Sequence, residues 1–154
     1  MILAARPLKR AAAIVSLGIV LLCASAHATE VAVGVGVDLW TAGSSSAVFS
    51  FTADPLWTLF EGLEVGARTG LFFVTPGSLG TGAAGIPLDV QIRGVVGHFY
   101  IEGLAGPWFF FTGDVVRAHV AMGFGWQTGP IRLGAEVAYL TGGAQLGARF
   151  AFAF

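Results

Sequence analysis

Cysteine, lysine and long apolar runs are scarce in this chain of 154 residues. Its single cysteine, Cys23, lies in an N-terminal apolar stretch, and Leu22 before it is not the small residue a lipoprotein signal wants. The rest of the chain therefore has neither disulfides nor thiolate metal sites to draw on. Only 11% of residues are charged. From Thr29 onward nine acids face five arginines and no lysine, which leaves no basic surface and excludes a nucleic-acid partner. Mean hydropathy is nevertheless +0.78. Beyond the N-terminal stretch no uninterrupted apolar segment reaches the roughly 20 residues of a spanning helix. The best candidate, Gly94 to Phe111, is broken by His98, Glu102 and Pro107.

The first 28 residues have the layout of a cleaved signal peptide: Arg6, Lys9 and Arg10, then apolar Ala11 to Leu22, then Ala26-His27-Ala28 as an A-x-A site. This sets domain bounds of 1–28 for the leader and 29–154 for one folded domain. Abundant glycine, with Val, Phe and Thr between, disfavours helix and favours strand.

Period-two alternation recurs segment after segment. Eight strands are expected, at Glu30–Trp40, Ala47–Ala53, Leu59–Phe73, Ile86–Val96, Phe99–Phe111, Arg117–Trp126, Ile131–Leu140 and Gln145–Phe154. Asp54-Pro55-Leu56-Trp57 reads as a turn because proline suits one. Val74–Gly85 is the longest loop. In each strand one face is apolar and the other carries glycine, alanine and charge: Val31, Val33, Val35, Val37 and Leu39 oppose Ala32, Gly34, Gly36 and Asp38. The expected fold is all-β, an eight-stranded antiparallel up-and-down transmembrane β-barrel with grease outside and polar groups inside. Closure is required because an open sheet edge cannot persist in hydrocarbon.

With both termini on the periplasmic side, Trp40, Trp108 and Tyr139 reach the height of one membrane interface and Trp57, Trp126, Tyr100 and Phe154 the other, as aromatic belts do. Hairpin registers can be read too. A Gly142-Gly143 turn puts Glu136 opposite Arg149 and Ile131 opposite Phe154, and a Gly97-His98 turn puts Arg93 opposite Glu102. One register of the third and fourth strands satisfies both Glu64–Arg93 and Arg68–Asp89, with its centre at Ser78-Leu79. The inward set is Asp38, Glu64, Arg68, Asp89, Gln91, Arg93, Glu102, His119, Arg132, Glu136 and Arg149. It reads as a plug of paired groups, because eight strands enclose an interior that side chains just fill and arginine's fork binds carboxylates in pairs. Glu64, Arg93 and Glu102 are expected to form one buried network.

The leader, the eight alternating strands and the terminal aromatic resemble the OmpA/OmpX class of small outer-membrane barrels. That resemblance implies a bacterial outer-membrane location, lipid bilayer and assembly machinery as partners, and an assembly signal in the last strand at Gln145, Gly147, Phe150, Phe152 and Phe154. Loops in that class are often long, whereas Thr112–Val116 and Thr141–Ala144 here are short, which speaks against adhesin-like roles.

Chemistry has little to attach to. Barrel lipid A deacylases use a His-x-Ser pair, but His98-Phe99-Tyr100 and His119-Val120-Ala121 lack the serine. Two distant histidines make no zinc site. Gly34-Val35-Gly36 is mid-strand with no helix behind it, so it answers to packing rather than to a nucleotide. The expectation is a non-enzymatic structural or interaction barrel with no cofactor, its contact surface at Trp40–Ser46 and Val74–Gly85. A lipid-modifying or lipid-binding barrel and a narrow pore are the alternatives.

Overall fold

The computed structural model describes residues 29–41, 45–76, 82–113 and 115–154. The leader expected at 1–28 and the hairpin centre at Ser78-Leu79 lie outside the described residues. Eight strands follow one another: β1 Glu30–Thr41, β2 Ser45–Phe60, β3 Leu63–Val74, β4 Ala83–Val96, β5 Phe99–Phe110, β6 Val116–Thr128, β7 Ile131–Leu140 and β8 Gly143–Ala153. Each pairs antiparallel with its neighbours in sequence, and β8 pairs with β1 to close the ring. This is an all-β, up-and-down transmembrane-barrel architecture.

The pairing fixes the barrel's shape. Starting at Glu30 and stepping across each ladder, the path runs through Leu56, Gly66, Gln91, Leu104, Ala121, Ala138 and Gln145 and returns to β1 at Trp40, ten residues further along. Eight strands with that offset tilt by about 40° and put the backbone about 8 Å from the axis, given the standard strand spacing and rise. Only side chains fit inside such a ring.

Alternation along the strands sorts residues as the sequence implies. In β1, Val33, Val35, Val37 and Leu39 are exposed while Ala32 and Asp38 are buried. Every described Asp, Glu and Arg within a strand lies on the inward parity, so the outer wall carries no charge there. From Ile86 to Val96 the outer face of β4 covers about 25 Å of axial height at that tilt, the height of a lipid-facing band.

Connections at one end, the turn end, are two residues long: Glu61-Gly62, Gly97-His98 and Gly129-Pro130. At the other, the loop end, the breaks after β3 and β5 are longer, and only Thr141-Gly142 is a two-residue turn. Gly62 and Gly142 sit at φ of 80° and 100°, a region that costs residues with a Cβ and not glycine.

Two sequence expectations are corrected. Asp54–Trp57 is not a turn: β2 continues to Phe60, and the chain reverses at Glu61-Gly62. Pro55 is accommodated because the β2–β3 ladder skips from Ala53–Thr69 to Leu56–Gly66 beside it, while the β1 side stays in register with Pro55 opposite Val31. Its missing N–H thus falls at a gap. Pro107 is placed similarly, in register with Ala118 on one side and beside a gap in the β4–β5 ladder on the other. Secondly, the last hairpin turns at Thr141-Gly142, not Gly142-Gly143, so Arg149 pairs with Gly134, Glu136 with Gly147, and Ile131 with Phe152 rather than Phe154. Placing glycine second in the turn moves the register by two residues, which keeps every side chain on its face. The β4–β5 and β3–β4 registers stand as read, with Arg93 opposite Glu102, Glu64 opposite Arg93 and Arg68 opposite Asp89.

Candidate functional site: the barrel lumen

The lumen is layered. At the loop end Trp40, Val48, Phe72, Val74, Trp108, Phe110 and Leu140 form an apolar cluster in which no residue is more than 8% exposed. Phe72 is its centre, 4.6 Å from the Trp108 ring and 4.8 Å from the Phe110 ring, edge-on to the latter. Gly85 makes room for it, since a Cβ there would run into the Phe72 ring and the Phe109 carbonyl. The Arg117 guanidinium covers the cluster, 5.1 Å from the Trp40 ring and 4.9 Å from the Phe110 ring, as cation–π contact favours.

Trp40 and Trp108 are therefore not belt residues, which corrects the sequence expectation. Their height along the strands matches an interface, but parity governs direction: Trp40 shares the inward face of β1 with Asp38, and Trp108 that of β5 with Glu102. Tyr100 is buried for the same reason. Tyr139 and Trp126 do face outward, at 57% and 40% exposure, and Trp57 is half-buried.

Below the aromatics, ion pairs run in one chain. Arg93 donates from Nε and Nη2 to Glu102 Oε2, both at 3.1 Å, and from Nη1 to Glu64 at 3.5 Å. Arg68 donates to Glu102 Oε1 at 3.1 Å and to Glu136 Oε2 at 2.6 Å, with Asp54 3.4 Å from its Nε. Arg149 joins Glu136, at 2.9 Å, to Asp38, at 2.8 Å. The sequence Glu64, Arg93, Glu102, Arg68, Glu136, Arg149, Asp38 thus crosses the interior from β3 to β1. Gln91 adds a 2.6 Å bond to Glu102.

Asp89 is not Arg68's partner, although the two are opposite in register. Its oxygens accept from Trp108 Nε1 at 3.1 Å and lie 2.9 Å from His119 Nδ1. Arg68 instead reaches across the lumen, where its planar fork finds three carboxylates. Glu136 and Arg149 meet diagonally, because the shifted hairpin leaves glycines directly opposite each. At the turn end Arg132 donates to Glu30, and Arg93 stacks 5.1 Å from the Tyr100 ring.

Inward glycines are slots for these long side chains. A Cβ on Gly36 would meet the Arg149 guanidinium, one on Gly147 the Asp38 carboxylate, one on Gly134 the Tyr100 hydroxyl, and one on Gly123 the Glu102 side chain at 2.9 Å. Close packing accounts for Gly34-Val35-Gly36.

Of the last-strand residues, Gln145 is buried between Trp40 and Ala138, Gly147 lies under Asp38, and Phe150, Phe152 and Phe154 face outward. His98 sits at a turn with Nδ1 3.1 Å from the Gln127 carbonyl. Among the described residues no group of three or more His, Cys, Asp or Glu side chains could hold a metal.

Comparison with known proteins agrees with this geometry. No protein-family model and no curated protein matches the chain. A solved structure described as "De novo design of transmembrane beta-barrels" is similar, with a TM-score of 0.58 at 13% identity over 82% of this chain and 97% of that one. The chain has the fold of a transmembrane β-barrel.

Besides the apolar layer and Arg117, sequence reasoning missed three participants around the ion pairs, and parity could have found each. Asp54 continues the inward series Ser50, Thr52; Glu30 shares the even positions of Asp38; Tyr100 shares those of Glu102. Pro55 gives the first the look of a turn residue, and the last lies at the height of an interface belt.

Proposed function

We propose that this chain is an integral outer-membrane β-barrel whose lumen is filled by its own side chains and whose role is structural or interactive rather than enzymatic. The observation that carries the reading is the inside-out distribution of polarity. Twelve ionisable carboxylates and guanidiniums sit on strands, all inward, around an outer wall of Val, Leu, Ile, Phe and Ala. Water outside would penalise that wall, whereas lipid outside favours it.

Filling is supported by the burial of the aromatic cluster and by the mutual satisfaction of the ion pairs beneath it. The leader at 1–28 would deliver the chain across the inner membrane. The outward aromatics of β8, Phe150, Phe152 and Phe154, would be read by the outer-membrane assembly machinery. The segments Trp40–Ser46 and Val74–Gly85 would supply the contact surface for an extracellular partner.

A heat-modifiability gel on fractionated cells tests this. The folded barrel should run as a faster-migrating band in the outer-membrane fraction and shift on boiling. Recovery from the soluble periplasm, or a band that heat does not shift, would refute it.

A further inference from the structure

The lumen is not filled evenly along its length. At the loop end the filling is mainly aromatic and aliphatic, with Val48, Phe72 and Leu140 fully buried, and buried Gln145 and His119 stand beside Trp40 and Leu140 at its inner edge. At the turn end the Glu30 and Glu64 side chains keep 31% and 18% of their exposure. Between them lies a cavity of about 20 Å³ lined by Thr52, Asp54, Arg68, Arg93, Tyr100 and Arg132, room for a single water. Arg132 Nη1 is buried there without a hydrogen-bond partner, and Arg68 Nε and Asp54 Oδ1 face each other at 3.4 Å without a well-formed hydrogen bond; a bridging water is the usual answer to such groups.

We propose that the aromatic layer at the loop end is the permeability seal of the barrel, and that the ion-paired interior beneath it is a blind vestibule, wetted from the turn end and selective for cations. This rests on the filled-lumen reading above. An ion among the ion pairs has carboxylate and guanidinium partners all the way from Glu64 to Asp38. Past the inner edge of the aromatic layer, at Phe72, Phe110, Val48 and Leu140, it meets only ring and aliphatic carbon and must give up its hydration uncompensated. Apolar constrictions close to ions in this way by dewetting.

The sign of the selectivity follows from the interior charge. Glu30, Asp38, Asp54, Glu64, Asp89, Glu102 and Glu136 point inward against Arg68, Arg93, Arg132 and Arg149. At the turn end the more exposed member of each pair is the carboxylate, Glu30 over Arg132 and Glu64 over Arg93. Arg117 lies beyond the seal, over Trp40 and Phe110.

Planar-bilayer recording of the refolded full-length domain tests the proposal, with heat-shifted migration confirming that each variant is folded. Wild type should be silent. Phe72→Ala/Phe110→Ala should give stable conductance steps that prefer K⁺ over Cl⁻ severalfold, and added Glu64→Gln should reduce that preference. Leu140→Ser, a smaller lesion in the same layer, serves the same comparison if the double variant does not fold. Glu102→Gln/Glu136→Gln, which loosens the ion pairs and leaves the seal, should stay silent. A folded seal variant as silent as wild type, an anion-preferring one, or conductance from the Glu102/Glu136 variant alone would each overturn the proposal. Conductance from wild type would overturn the filled-lumen reading itself, a separable outcome.

Discussion

Replacing Arg68 with leucine removes the cation around which the interior is arranged. Its guanidinium addresses Glu102, Glu136 and Asp54 from one fork, and the side chain is 6% exposed. Leucine would leave three buried carboxylates sharing only Arg93 and Arg149 at the ends of the chain. Breaking a buried pair in this manner costs about 3–5 kcal/mol, because the stranded charge keeps its desolvation penalty and loses its partner. At a denaturant slope of about 2 kcal/mol per molar urea, that moves the unfolding midpoint down by about 2 M. Arg68→Lys should fall between, since an ammonium keeps the charge but cannot span three acceptors as a plane does. The double variant Arg68→Leu/Glu136→Leu should recover part of the loss, with a coupling of about 1–3 kcal/mol. Equilibrium urea titration in lipid vesicles, read by tryptophan fluorescence and by heat-modifiable migration, measures these four proteins together with Glu136→Leu, which completes the cycle. An Arg68→Leu midpoint within about 0.3 M of wild type, or strict additivity in the double variant, would refute the network as described.

Two further outcomes follow from the same geometry. Gly147→Ala places a methyl on the Asp38 carboxylate and near the Val37 carbonyl and should cost about 1–3 kcal/mol as overpacking does. Gly94→Ala, whose Cβ would meet only Ile101 at an ordinary 3.7 Å, should stay within about 0.5 kcal/mol; equal effects in the same titration would contradict the slot role. Val35→Arg, at mid-height on the outer wall, should destabilise the vesicle-embedded barrel by about 2–4 kcal/mol, and a neutral result would mean that this face does not meet lipid.

What could be read from residues alone is what depends on parity and on turns. Side-chain direction in a strand has period two, so Val35 out and Asp38 in follow from position alone. Parity also implies that Asp54 and Trp40 point inward, but a proline beside one and an interface height for the other outweighed it. Register was legible where a turn offered one place for glycine, as at Gly97-His98, and ambiguous by two residues where Thr141, Gly142 and Gly143 offered more than one.

The sequence by itself determined the strand count, the apolar wall and the inward charges. Ring closure with a ten-residue offset decided who meets whom inside, because it brings β3 across the lumen from β7 and within side-chain reach of β5. Arg68 therefore finds Glu136 instead of its ladder neighbour Asp89. The same closure gathers Trp40, Phe72, Trp108 and Leu140, far apart in the chain, into one layer. Neighbour relations along a ladder are local and can be written into a sequence pattern. Contacts through the lumen depend on tilt and offset, which only the closed barrel fixes.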